Sequence, residues 1–316
     1  MQVSFVIPLL NNLALTRACV ASLQATLPRG LAHEIILVDD GSTDGTREWL
    51  ATLAPPFRVV LNERNLGYAA ANNRAVAIAH GKFLALLNND LVLLPRWLER
   101  MLGTHRSLLG RAGLVGNVQL DARTGAIDHT GILVNRYGKP EHDRALPSPL
   151  ARFFTTVRVV PAVTGACALV ERALWQQLGG FDEAFVNGGE DVDLCFRARA
   201  AGRVNAVALA SVVRHHISSS VGRKLRDEEN SYRLARRWRR ELVAAAGESL
   251  RAWCRECHER TLPEPRDADR VLARRAWLYA NRLSPTPPPE AIAALEADLD
   301  REFARWEKMF GPRPSA

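Results

Sequence analysis

Short apolar runs alternate with amphipathic stretches through the first hundred residues. Val3 to Ile7 is a β-rich run closed by Pro8, and Thr16 to Leu27 carries apolar residues at helical spacing (Cys19, Val20, Leu23, Leu27). Glu34 to Asp39 reads as a second strand breaking into the polar turn Asp40-Gly41-Ser42-Thr43-Asp44-Gly45. A short helix follows through Trp49 and Leu53. Phe57 to Leu61 predicts a third strand, Asn65-Leu66-Gly67 a turn, and Tyr68 to Ala79 an Ala-rich helix. Lys82 to Leu87 predicts a fourth strand, whose apolar run stops abruptly at Asn88-Asn89-Asp90. Pro95 then starts a helix to Leu109. This β-α-β-α-β-α-β-α order predicts a parallel sheet with helices on both faces.

From Ala112 the rhythm changes. Leu114–Leu120, Ile132–Asn135, Val157–Val160, Ala166–Val170, Val204–Val207 and Val212–Val213 read as strands, and Arg172–Leu178 and Glu190–Ala201 as helices. Arg136 to Leu150, rich in Pro, Gly and charge, predicts a loop over a site. Beyond Gly222 the chain becomes helical and Arg-rich. It is interrupted at Pro263-Glu264-Pro265 and Pro285-Thr286-Pro287-Pro288-Pro289, and Ile292, Leu295, Leu299, Phe303, Trp306 and Phe310 form one apolar stripe. The expected organisation is an α/β domain over 1–222 and an Arg-rich α-helical extension over 223–316.

Composition narrows the class. A 316-residue chain that is 47% hydrophobic can bury a sizeable core. No apolar run approaches the roughly 18–20 residues of a membrane span. The first eight residues lack the basic and apolar regions of a signal peptide, so a cytoplasmic protein is expected. Five cysteines suit a reducing compartment better than a disulfide framework. Residues 221–282 hold 16 Lys/Arg against 10 Asp/Glu. That surplus of +6 is either a solvated helical surface or a face for anionic lipid, nucleic acid or an acidic acceptor.

The candidate chemistry clusters at predicted strand ends. Asp90 is placed to ligate a hard divalent cation carrying phosphate oxygens, although Asn and Asp also cap turns. Asp39 can accept from a base imide or a ribose hydroxyl, or simply hold its own turn. Neither GxGxxG nor GxxxxGK[ST] occurs, which argues against nicotinamide and Walker-type phosphate sites. Gly188-Gly189-Glu190-Asp191 is a flexible turn into a helix. Its acids serve either the helix dipole or, in Asp191, general-base chemistry. His215, after the apolar Val212-Val213, could complete a cation's ligand set, and His216 stands beside it. Ser218, Ser219, Ser220, Arg223 and Lys224 could meet phosphate. Cys254-Arg-Glu-Cys257-His258 has the CxxCH form of haem attachment but sits in a charged helix, without further ligands at zinc spacing.

In this order, Val6-Ile-Pro8 with Asn11, Val38-Asp-Asp-Gly-Ser-Thr-Asp44, Asn65-Leu-Gly67 with Asn73, Leu87-Asn-Asn-Asp90, Thr164-Gly-Ala166, Gly179-Gly-Phe-Asp-Glu183, Glu190-Asp-Val-Asp193 and His215 resemble the family 2 glycosyltransferases. These are inverting enzymes of the GT-A fold, and the resemblance is to the rhamnosyltransferase-like bacterial members, over roughly two thirds of the chain. It implies a Rossmann-like, mostly parallel sheet, and a nucleoside-diphosphate sugar donor, UDP- or dTDP-linked with rhamnose favoured. It also implies Mg2+ or Mn2+ and a glycan, lipid-linked or protein acceptor. Asp39 would read the base with Pro8 and Leu9 around it, and Asn65, Gly67 and Asn73 would line the nucleotide pocket. Asn88-Asn89-Asp90 would stand as the DXD motif, with Asn88 replacing its first carboxylate. Asp90 and His215 would hold the metal, Asp191 would be the base, and Thr164, Gly165 and Glu190 would border the acceptor. Two other readings compete: a sugar-phosphate nucleotidyltransferase, whose Gly- and basic-rich first loop is missing from Leu9–Arg17, and a basic nucleic-acid-binding protein without catalysis, for which no motif is present. Contact with the inner face of a membrane and self-association through the C-terminal helices complete the expectations.

Overall fold

A computed structural model describes residues 2–135, 137–148, 155–216, 226–246, 250–251, 254–255, 267–281 and 283–311. The elements run β1 (Val3–Leu9), α1 (Leu13–Thr26), β2 (His33–Asp39), α2 (Thr46–Leu50), β3 (Phe57–Leu61), α3 (Tyr68–Ala77), β4 (Phe83–Leu87), β5 (Leu91–Leu93) and α4 (Trp97–Ser107). They continue with β6 (Ala112–Asp121), β7 (Ile127–His129), β8 (Ile132–Val134), β9 (Pro140–His142), β10 (Val157–Val159), β11 (Cys167–Glu171), α5 (Arg172–Leu178), α6 (Glu190–Ala200) and β12 (Val204–His215). The C-terminal helices are α7 (Asp227–Ala245), α8 (Asp267–Ala280) and α9 (Pro289–Phe310).

Ten strands form one sheet whose main path is β10-β12-β6-β11-β4-β1-β2-β3. β1 is parallel to β2 and β4, and β2 to β3. β11 is antiparallel to both β4 and β6, while β6 and β12 are parallel. Reversing across β11 twice leaves β1, β2, β3, β4, β6 and β12 all pointing one way. Their C-terminal ends therefore share an edge, and antiparallel β11 begins there. Every residue of β1 is buried, as expected for a strand covered on both faces. Phe5 and Ile7 share a core with Cys19, Val20 and Leu23 of α1 and with Trp97 and Met101 of α4.

The chain divides into two compact units: Met1–Ile132 with His142–Arg226, and Leu133–Glu141 with Asp227–Ala316. In the second, Leu295, Leu299, Phe303 and Trp306 of α9 are buried, but Ile292 and Phe310 stand exposed at 39% and 36%. The apolar stripe is thus shorter than its spacing predicts. Gly138, with φ +73°, has no room for a Cβ, which would lie 3.0 Å from the Phe303 ring.

Two expectations need correction. The segments Val204–Val207 and Val212–Val213 are not separate strands but parts of β12, joined through an irregularity between Ala208 and Val212. There Ser211 donates to Trp97 O (2.8 Å), and Leu209 N donates to Thr156 O (2.8 Å). The predicted 136–150 loop contains β9, which pairs with β8 because Asn135 Oδ1 accepts from both Tyr137 N and Lys139 N and tightens the turn. Cys254 is buried; Cys257 and His258, like Ser218–Ser220, Arg223, Lys224 and the 222/223 boundary, lie outside the described residues. Among the described residues no helix is long and apolar enough to cross a membrane.

A buried carboxylate pins the first strands. Glu34, paired with Ser4 across β1 and β2, accepts from Ser4 Oγ (2.6 Å), His80 N (2.7 Å) and Arg58 (2.8 Å). Burial alone would raise its pKa; those bonds outweigh it and bring the group from an ordinary 4.5 to about 2. The stabilisation is therefore complete above about pH 4.5 and is lost as pH falls towards 2. Glu34→Gln should lower stability by about 2 kcal/mol at pH 7. Urea midpoints of mutant and wild type should converge between pH 4.5 and pH 2.

Candidate active site

The common edge collects most of the residues singled out in the sequence. β1 ends at Leu9, β2 at Asp39, β4 runs into Asn88–Asp90, β12 ends at His215, and Thr164-Gly165 precede β11. From β1 the chain runs through α1 to β2 and β3 on one flank, then returns through α3 to β4 on the other, so the strand order reverses at β1. This is the crevice where ligands bind in open α/β sheets.

On the β1–β3 side the turns are cross-tied. Asn11, at φ +56°, accepts from Thr43 N (2.8 Å) and donates its own N–H to Ser42 Oγ (2.7 Å). Asp39 is fully buried and accepts from Gly41 N (3.3 Å), Ser42 N (3.2 Å) and Arg47 Nε (2.7 Å). Asp40 Oδ1 accepts from Asn62 Nδ2 (2.7 Å) and Leu66 N (2.9 Å), and Oδ2 from Gly67 N (2.9 Å). It therefore fixes the Asn65–Gly67 turn, which Asn65 Oδ1 closes by accepting from Gly67 N (2.9 Å). Gly41 is obligatory here: at φ +93°, a Cβ would lie 3.0 Å from the backbone of Arg64 and Asn65. Asn73 does not face this turn. Its amide bonds Phe181 O, Phe181 N and Glu183, so it secures the 181–183 turn instead.

On the β4 side, Asp90 Oδ1 lies 3.2 Å from His215 Nε2, because β5 pairs antiparallel with β12 and sets Leu91 opposite His215. Both side chains are buried, and His215 Nδ1 has no hydrogen-bond partner among the described residues. His216 N donates to Asp90 O (3.0 Å), so beside the pair it contributes backbone. Asn89 Nδ2 donates to Thr16 Oγ1 (2.8 Å), anchoring the same loop on α1. Among the described residues no group of three or more His, Cys, Asp or Glu converges on a point. A carboxylate and an imidazole at this spacing fit a divalent cation that draws its other ligands from a diphosphate and water.

The third part adjoins the second through the backbone. Asn88 N donates to Ala166 O (2.8 Å), one residue from Gly165, whose N–H donates to Asp191 Oδ2 (2.8 Å). Asp191 Oδ1 accepts from Val192 N (2.8 Å). Two backbone donors hold the carboxylate at the N-terminus of α6 and leave lone pairs for a further donor. Glu190, buried, accepts from Gly188 N (2.7 Å), and Thr164 Oγ1 accepts from Ala166 N (3.3 Å). Sequence reasoning missed Asp40, Arg47, Thr16 and Tyr68. The first was visible as half of a paired Asp39-Asp40; the others act through tertiary contacts that leave no local pattern.

A family description, Glycosyl transferase family 2, matches residues 4–179, more than half of the chain. The protein belongs to that family. The y4gI protein of Sinorhizobium fredii is 33% identical over 252 residues, 76% of this chain and 26% of its own length. The O-antigen biosynthesis protein RfbC of Myxococcus xanthus is 33% identical over 229 residues, 69% of this chain and 18% of its own. This chain thus spans about a quarter or less of those relatives. An N-acetylglucosaminyl-diphospho-decaprenol L-rhamnosyltransferase of Mycobacterium tuberculosis is 28% identical over 60% of this chain and 68% of its own. Among solved structures, GalNAc-T7 with UDP, GalNAc and Mn2+ superposes with a TM-score of 0.62 at 17% identity, covering 89% of this chain and 55% of that one. The mannosyltransferase PcManGT of Pyrobaculum calidifontis, with GDP-Man and Mn2+, gives 0.55 at 19% identity, covering 98% and 83%. These two establish the family 2 chain as a GT-A fold, as its motif order implied.

The 181–183 turn depends on Asn73. Asn73→Ala should cost about 1–3 kcal/mol through the backbone groups it strands. Hydrogen exchange in residues 180–189 should accelerate while β1 and β2 keep wild-type protection.

Proposed function

We propose that this chain catalyses inverting, metal-dependent transfer of a sugar from a nucleoside-diphosphate sugar to an acceptor hydroxyl. The observation that carries the reading is the continuity of Asp90–His215 (3.2 Å) with Asp191, through Asn88 N–Ala166 O and Gly165 N–Asp191 Oδ2, both 2.8 Å. Cation ligands and a candidate base thus share one edge of the sheet.

On this reading the nucleotide lies over Pro8 and Leu9, against the Asn65–Gly67 turn. Asp39 reads the base once Arg47, 37% exposed, swings off it. Asp90 and His215 hold Mg2+ or Mn2+, with Asn88 and Asn89 shaping the loop. A cation held by these two side chains would supply positive charge to offset that on the departing diphosphate. Asp191, kept in one orientation by Gly165 N and Val192 N, takes the acceptor's proton as its oxygen attacks. Thr164, Gly165 and Glu190 border that oxygen. Cys19 and Cys167 are no nucleophiles for a double displacement, since burial pushes both thiols up to about 12. The donor is a UDP- or dTDP-linked sugar. Rhamnose rests on the name of the mycobacterial relative, and a lipid-linked or other glycan acceptor on the names of the relatives as a group. The Arg-rich 223–316 segment is read as an extension facing anionic lipid at the cytoplasmic side of a membrane.

Asp191→Asn should lower transfer by about 10²–10⁴-fold and leave donor affinity intact by calorimetry. Undiminished turnover would remove the base from the scheme. The product should be a nucleoside diphosphate; release of inorganic diphosphate would mark a nucleotidyltransferase instead. Chelation, Asp90→Ala and His215→Ala should each weaken Mn2+-dependent nucleoside-diphosphate binding by tenfold or more, about 1.4 kcal/mol. Full activity in excess chelator would exclude metal dependence.

A further inference from the structure

Tyr68 is the first residue of α3 and follows the Asn65–Gly67 turn directly. Its hydroxyl donates to Gly165 O at 2.8 Å, and Gly165 N–H donates to Asp191 Oδ2 at 2.8 Å. The peptide units flanking Gly165 are thus held from both sides: the carbonyl by Tyr68, the N–H by the candidate base. The ring of Tyr68 stands 5.8 Å from Phe181, which stacks edge-on against Trp175 at 4.8 Å. The phenol is therefore fixed in place before its hydroxyl reaches Gly165. Gly165 is buried, and a Cβ on it would lie 3.0 Å from Tyr68 Oη and 3.5 Å from Asp191 Cβ. Tyrosine hydroxyl, glycine backbone and aspartate side chain are packed in series with no room for another atom.

Immediately before Tyr68 the chain is tied to the nucleotide side. Gly67 N and Leu66 N both donate to Asp40, whose partner Asn62 belongs to the β3 end. The residue whose hydroxyl grips the loop of the base directly follows the turn assigned to the donor.

We propose that Tyr68 is a positioning residue for Asp191, mechanically tying the donor turn at Asn65–Gly67 to the base through the Gly165 peptide. This rests on the assignment of Asp191 as base. In this role Tyr68 acts through Asp191: it sets the angle at which the carboxylate meets the incoming hydroxyl. Misplacing a reacting group by about 1 Å costs on the order of 10²-fold in rate, so a single hydroxyl in this chain has leverage.

The test uses the full chain, with transfer followed at saturating and limiting donor. Tyr68→Phe keeps the ring against Phe181 and removes only the donated hydrogen bond. It should lower kcat by about tenfold to a hundredfold, leave the donor KM within about twofold and leave the melting temperature nearly unchanged. Gly165→Ala should also lower kcat. In the Tyr68→Phe background its added effect should be smaller, because the closest atom to the new Cβ is gone. Wild-type kcat in Tyr68→Phe, or strictly additive effects in the double variant, would overturn the tether. Measuring Asp191→Asn alongside separates the two claims. If Asp191→Asn is inactive and Tyr68→Phe is not, the tether alone fails. If Asp191→Asn transfers normally, the base assignment fails and the tether goes with it.

Discussion

One backbone hydrogen bond, Asn88 N to Ala166 O at 2.8 Å, holds the site together. It continues the antiparallel ladder of β4 and β11 one step beyond the last strand residue, where Leu87 faces Cys167. Its consequence is geometric. The loop that supplies Asp90 and the loop that supplies Gly165 leave the sheet side by side, so Asp90 and the Asp191 carboxylate held by Gly165 emerge as neighbours. Because β4 is apolar and buried on both faces, its register is marked by the end of the apolar run at Asn88 and not by an inside–outside alternation. A slip of one residue would turn its apolar set over and swing Asn88–Asp90 away from His215.

The opposite wall is built on another plan. No glycine-rich phosphate loop lines it. Short acidic and amide side chains satisfy the N–H groups of neighbouring turns instead: Asn11 for Thr43, Asp39 for Gly41 and Ser42, Asp44 for Leu13, Asp40 for Leu66 and Gly67. Much of this polar motif is therefore structural in the isolated chain. A nucleotide would meet a surface already shaped, in which ordering entropy has been spent on folding and not on binding.

The parallel strands, their common edge, Asp90 and His215 were legible because strand ends are marked by an abrupt change from apolar to small polar residues. Helical spacing likewise located α1, α3 and α6. What was not legible depends on contacts between distant segments. Tyr68 and Gly165 are 97 residues apart, and nothing in Asn65-Leu-Gly-Tyr68 distinguishes a tyrosine that packs from one that holds a loop. Asn73 resembles a pocket residue by its place after the turn, yet both amide atoms are bonded to the 181–183 turn. The β8–β9 turn is closed by the Asn135 side chain together with backbone bonds from Asn135 to Lys139 and from Gly138 to Asn135. The length of β12 is hidden because Leu209–Ser211 interrupts the strand pattern while tertiary bonds carry the chain on.

The least expected feature of the first unit is a polar layer inside its core. On β6, the face that carries Val115 deep in the hydrophobic cluster carries Asn117 and Gln119 nearer the site edge. Gln119 pairs with His129 of β7 on one side and with Val213 of β12, two residues before His215, on the other. Gln119 and His129 are fully buried, and neither Gln119 Oε1 nor either ring nitrogen of His129 has a hydrogen-bond partner among the described residues. Burial keeps the His129 pKa well below the ordinary imidazole range, so the ring is neutral there. Each such group costs roughly 1–3 kcal/mol compared with a satisfied one. An apolar layer would have stabilised the sheet more. These polar side chains, Gln119 and His129, stand two register positions along β6 and β12 from His215. Sequences depart from the rules of stable packing where a site demands it, and the remaining sheet, buried on both faces, absorbs the loss.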